Sequence, residues 1–125
     1  MFVIDSDATI HITRGDAALI SVTANDDGGV YEFKNNDVVR FKVFAKKNCA
    51  DVVLQKDTEV TEPTKAVAII LSKEDTTIGE IINKPVDYWY EVELNPETNP
   101  KTIIGYDDSG AKIFKLYPEG GVANE

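Results

Sequence analysis

Pro85-Val86-Asp87-Tyr88-Trp89-Tyr90-Glu91-Val92-Glu93-Leu94 alternates over almost its whole length. Tyr88, Tyr90, Val92 and Leu94 fall on one side at period two, and Asp87, Trp89, Glu91 and Glu93 on the other. That alternation marks a half-buried β-strand, and aromatic and β-branched side chains suit a pleated surface. The stretch predicts a strand about which the rest of the chain is arranged.

Working outward from it, the same period recurs. Ala18, Ile20, Val22 and Ala24 alternate with Leu19, Ser21 and Thr23, and Val39, Phe41 and Val43 oppose Arg40, Lys42 and Phe44. Shorter strands are predicted at Ala8–Ile12 and Val52–Lys56. In Lys65–Leu71 both sides are apolar: Val67, Ile69 and Leu71 on one, Ala66, Ala68 and Ile70 on the other. A strand of that kind is central or has one face against a partner.

Between the strands lie residues that tolerate turns. Asn25-Asp26-Asp27-Gly28-Gly29 predicts a hairpin returning through Val30–Phe33, Asn35-Asn36-Asp37 a further turn, and Asn95–Pro100 a rigid one. Asp107-Asp108-Ser109-Gly110 between Thr102–Gly105 and Lys112–Leu116 reads as a terminal hairpin. Ser72 followed by Glu74 and Asp75 is a helix start, and Gly79 and Pro85 limit any helix to a turn or two within 73–83. About seven to nine short strands with at most that one helix predict an all-β chain, an immunoglobulin-like antiparallel β-sandwich. Residues 1–117 form its single domain, and 118–125 read as a flexible C-terminal tail.

Composition narrows the function classes. The 125 residues carry a formal net charge of −9, which argues against nucleic-acid or anionic-membrane partners, since both need a cationic face. The single cysteine, Cys49, forms no intramolecular disulfide. Met1–Asp7 lacks the basic and apolar regions of a signal peptide, which predicts cytoplasmic synthesis without one. The longest apolar run, Ala66–Leu71, falls far short of the ~20 residues that span a bilayer.

Catalytic, metal and cofactor chemistry find no constellation. His11 is the only histidine and lies between Ile10 and Ile12, so a site of two or more His ligands is excluded. Cys49 follows Lys46 and Lys47, which would lower its thiol pKa, but no second cysteine or histidine stands near it in sequence. Arg14-Gly15-Asp16 spells an integrin-recognition tripeptide, yet reads more simply as a connection in which Gly15 supplies a backbone angle other residues resist. Asp26-Asp27 and Asp107-Asp108 lack the D-x-[DN]-x-[DN]-G pattern of a calcium loop and are explained as turn residues. We expect no catalytic residues, no metal and no cofactor. The informative side chains are apolar ones on faces that ought to be polar. Trp89 is core if both faces of its sheet are covered; if only one is, Trp89 with Phe44 predicts an exposed aromatic patch, as Ala68 with Ile70 predicts an apolar one, and such a patch marks a protein interface. The alternative for Trp89 is a carbohydrate-binding or adhesion surface.

Several of these patterns resemble a known family. Ile-His-Ile-Thr-Arg-Gly-Asp (10–16) leads into Ala-Leu-Ile-Ser-Val-Thr-Ala (18–24), then Asp-Asp-Gly-Gly (26–29) and Asn-Asp-Val-Val-Arg-Phe-Lys-Val (36–43). Asp-Tyr-Trp-Tyr-Glu-Val-Glu-Leu (87–94) follows as a penultimate strand. The order resembles the N-terminal β-sandwich of upper-baseplate and related tail proteins from phages and prophages of Gram-positive bacteria, over roughly residues 8–117. The resemblance implies a non-enzymatic virion structural or assembly protein, binding other virion subunits or itself. It carries over no catalytic residue.

Overall fold

The computed structural model describes residues 1–120. In chain order its elements are β1 (Phe2–Ile4), β2 (Ile10–Thr13), β3 (Ala18–Val22), β4 (Asn25–Asp26), β5 (Gly29–Val30), β6 (Val38–Phe44), β7 (Val52–Glu59), β8 (Val67–Leu71), α1 (Lys73–Thr76), β9 (Val86–Leu94), β10 (Lys101–Ile104) and β11 (Lys112–Tyr117). The chain is all-β and sandwich-like. One sheet runs β1-β2-β11-β9-β6-β7, with β10 also on β9, and β3 pairs β8 in a second sheet opposite. Strands β11, β9, β6 and β7 side by side, faced by β3 and β8, form the two layers of an immunoglobulin-like sandwich. Every pair is antiparallel except β2 with β11.

Strand β9 is the spine the alternation predicts. It pairs β6 along one edge, from Val39↔Leu94 to Phe44↔Trp89, and β11 and β10 along the other. Tyr90, Val92 and Leu94 are buried on its inner side. They pack in one cluster with Val39, Phe41 and Val43 of β6, Phe114 and Leu116 of β11, and Ile10 and Ile12 of β2, against Ile20, Val22, Val67, Ile69 and Leu71 of the opposite sheet. Two strands cannot cover a wider sheet, so Phe33, Val60 and Ile78 from connections complete the core.

Two predicted hairpins take another form. Lys101↔Leu94 and Ile104↔Val92 are followed along the same edge of β9 by Lys112↔Tyr90 and Leu116↔Val86. Strands β10 and β11 are thus one interrupted strand, and 105–111 loops out between them instead of joining a pair. The Asp107–Gly110 turn forms as its chemistry predicts, closed by Gly110 N–H to Asp107 O at 2.8 Å, but the strands it joins find a better partner in β9. Likewise β4 and β5 form a hairpin of two residues a side, off both main sheets, and β3 pairs β8 instead of the returning chain.

The sequence pattern predicts no strand at the N-terminus, yet β1 adds to the sheet through Phe2↔Ile12 and Ile4↔Ile10. The helix is the single turn expected. Ser72 Oγ accepts the Asp75 N–H, and Asp75 reaches back to the Ser72 N–H at 2.8 Å, a reciprocal cap. At the C-terminus Glu119 lies within the described residues and pairs with Arg14; 121–125 lie outside them.

Candidate functional site

The outer face of the β3–β8 sheet is apolar where a solvated face would be charged. Leu19 and Ile70 are direct cross-strand partners, 55% and 62% exposed, and the next outward pair is Ser21 with Ala68. No ionisable side chain stands among these four. Scattered exposed hydrophobics are ordinary, whereas these two stand side by side as a cross-strand pair on an uncharged sheet face. The sheet has only two strands, so β3 and β8 each lack a hydrogen-bonded neighbour on one edge; β7 lies beside β8, while the β3 edge is the one that could template further pairing.

Trp89 and Phe44 lie on the opposite side of the sandwich, so the four residues singled out from sequence do not form one surface. Trp89 sits half-buried on the outer face of the large sheet, with Phe44 and Ile113 as its cross-strand partners. Phe44 is only 3% exposed, which corrects the expectation of an exposed Trp89–Phe44 patch. The β6–β7 register shifts between Val43 and Phe44. The extra residue there is Val53 of β7; β6 keeps its register with β9 through Phe44↔Trp89, so Phe44 stays on the outer face and is buried on it. Beside this row the face is ionic. Arg40 lies between Asp57 at 2.8 Å and Glu97 at 2.7 Å, and Lys42 pairs Glu93 at 3.4 Å. Tyr88 and Tyr90 point inward, away from Trp89.

A third feature, missed by sequence reasoning, is a cleft of about 480 Å³ at one end of the sandwich, between the β3–β6 connection and the β9–β10 turn. Its floor is fixed by Asp37, 8% exposed. One carboxylate oxygen accepts from Tyr31 Oη at 2.8 Å and the Lys34 N–H at 2.9 Å, and the other from Asn95 Nδ2 at 3.0 Å. Asn95 Oδ1 in turn accepts the Val38 N–H at 2.9 Å. Asn36 and Asn95 hold φ of 77° and 49°, left-handed values that Asn tolerates. Burial opposes charge on Asp37, but these donors and the Lys34 charge outweigh it and hold the carboxyl below its ordinary range; the same pair pushes the Tyr31 phenol up, chiefly through its hydrogen bond to the carboxylate. The signal available in sequence was a pair of Asn/Asp turns. What brings them together is the β6–β9 pairing.

The remaining candidates have structural occupations. Arg14 is buried and donates to the Ile78 and Gly79 carbonyls and to Glu119, so the Arg-Gly-Asp tripeptide does not present its cation; Gly15 has φ 85° as its turn requires. His11 bridges Tyr117 Oη at 2.8 Å and Asp5 at 2.6 Å, across β2, β11 and the β1–β2 loop. The Cys49 thiol is pushed up, first by desolvation and then by Glu91, not lowered by Lys46 and Lys47 as their proximity in sequence suggests. Asp26 and Asp107 cap their own turns through the Gly28 and Ser109 N–H groups, both at 2.8 Å. No helix among the described residues is long and apolar enough to cross a membrane.

No family model matches the chain, and comparisons with curated proteins and with solved structures find no match either.

Proposed function

We propose that this chain is a non-enzymatic structural or assembly protein of a phage or prophage virion, from the tail or baseplate region, acting through protein–protein contacts. The observation that carries the contact is the Leu19/Ile70 pair on the uncharged outer face of a two-stranded sheet whose β3 edge has no hydrogen-bonded neighbour. The virion setting rests on the resemblance over roughly residues 8–117 to the N-terminal sandwich of upper-baseplate proteins. The partners are other virion subunits or a second copy. The alternative, a carbohydrate-binding or adhesion surface around Trp89, has less behind it: Trp89 is half-buried beside ion pairs, and Tyr88 and Tyr90 pack into the core on the other side.

Sedimentation and light scattering over a wide concentration range, alone and with co-expressed tail subunits, test the reading. Association that Ile70→Asp abolishes is expected. A chain that stays monomeric at the highest concentration and captures no tail subunit refutes it.

A further inference from the structure

The loop-end cleft is used by neither the core nor the apolar face. We propose that it is a binding site for a neutral saccharide unit. Its volume of about 480 Å³ lies within the ~300–1,000 Å³ of small-molecule sites. Its place is the one where variable-type sandwiches carry their binding loops, since the β3–β6 connection and the β9–β10 turn correspond to the first and last of those.

Charge selects the class of ligand. Lys34 and Lys101 line the cleft with Asp26 and Asp37, two cations against two anions, so the cleft has no net charge in a chain carrying −9. Neither lysine forms an ion pair among the described residues. Three protein donors already hold the Asp37 carboxylate, two on one oxygen and one on the other. A bare anion would meet two carboxylates beside the two lysines, and a cation would meet two ammonium groups beside an Asp37 that keeps one acceptor position, so neither sign of charge is favoured.

The polar groups left over are of both kinds. The Asn25 and Asn99 carboxamides and the Thr23 and Thr102 hydroxyls offer donors and acceptors together. Such a mixture is complementary to groups that also donate and accept, which vicinal hydroxyls do and carboxylates do not. Ala24, Leu94 and Ile103 supply an apolar wall for the C–H face of a sugar ring. The floor is preorganised: Asn95 and Tyr31 are held on Asp37 before any ligand arrives, so little ordering remains to be done on binding.

Amide-resolved NMR titration of the whole chain tests this, with glucose, galactose, N-acetylglucosamine, rhamnose and their disaccharides as probes, and succinate and a blocked neutral tripeptide as controls. The expected result is saturable shifts at Asn25, Asn99 and Lys101 with at least one neutral sugar. Asn25→Ala and Asn99→Ala, both at exposed positions, should each weaken that binding about tenfold, about 1.4 kcal/mol, with the unfolding midpoint unchanged. The proposal is overturned by absence of saturable shifts across the sugars at millimolar concentration, by a response to succinate or the peptide alone, or by shifts confined to the Trp89 face. None of these outcomes bears on assembly, because Leu19 and Ile70 lie outside the cleft.

Discussion

Replacing Asp37 by Ala should be among the most damaging single polar substitutions in this chain, and only above acidic pH. The change leaves the Tyr31 hydroxyl, the Lys34 N–H and the Asn95 amide without the carboxylate that accepts all three. A hydrogen bond to a charged acceptor contributes about 1.5–3 kcal/mol, so three would give about 4–9 kcal/mol if fully desolvated. Tyr31 and Asn95 are half-buried and Lys34 is exposed, so water can reach the orphaned donors. That reduces the expected loss to about 3 kcal/mol, or about 10 °C in Tm for a domain of this size. The pH dependence follows from the lowered carboxyl. With a folded pKa below the ordinary 3.8, the unfolded chain takes up the proton first. Asp37 therefore contributes its full stability above about pH 4, and the contribution disappears as pH falls through the folded value. Denaturant titrations of the wild type and Asp37→Ala at neutral pH and near pH 3 read this directly. A neutral-pH loss under about 1 kcal/mol, or an equal loss at both pH values, refutes the account of the carboxylate as a charged hub.

Tyr90 donates to the Ala8 carbonyl, and burial, with Asp7 nearby, pushes its phenol up to about 12. Below about pH 10 it adds stability that is lost as pH rises through the folded value, so phenolate absorbance should show a late-titrating tyrosine that Tyr90→Phe removes. A β-carbon at Gly105 would stand 2.6 Å from Thr102 Cγ2. Gly105→Ala should cost about 1 kcal/mol by chemical denaturation, and Thr102→Ser should restore most of it. Ile69 is fully buried in the face of β8 opposite Ile70. Ile69→Ala should cost about 2–5 kcal/mol and Ile70→Asp within about 0.5 kcal/mol, so thermal melts separate the core face from the exposed face on adjacent residues.

The faces of the strands were legible and their partners were not. Period two assigns Tyr90, Val92 and Leu94 to one side of β9, and Ile69 and Ile70 to opposite sides of β8, without any tertiary information. It says nothing about which edge a strand meets. The terminal hairpin failed for that reason: Asp107–Gly110 makes a good local turn, but β9 extends far enough to take both flanking strands on one edge. Phe44 failed for a different reason: period two assigns a side chain to a face but does not say how far that face is covered, and Phe44 is buried on the outer face opposite Trp89. The cleft was illegible because its central hydrogen bond joins Asn95 to Asp37, 58 positions apart.

The two outer faces of the sandwich also differ in what docking would require. Covering the Trp89 row would desolvate Arg40 with Asp57 and Glu97, and Lys42 with Glu93, and stripping water from ions costs several kcal/mol each unless the partner replaces it. Covering Leu19 and Ile70 desolvates no charge among the four outward residues. Full burial of such side chains is worth about 1.5–3 kcal/mol, and each is already somewhat under half buried, so each gains about 1 kcal/mol in a contact. A symmetric pair of patches thus gains about 4 kcal/mol from these side chains, near the lower limit of the 4–15 kcal/mol that association costs in lost motion. Two copies alone should therefore hold weakly, and backbone pairing along the β3 edge must supply the rest. Assembly by this surface is then expected to be steep in concentration and strong only where several contacts close together, as in a ring.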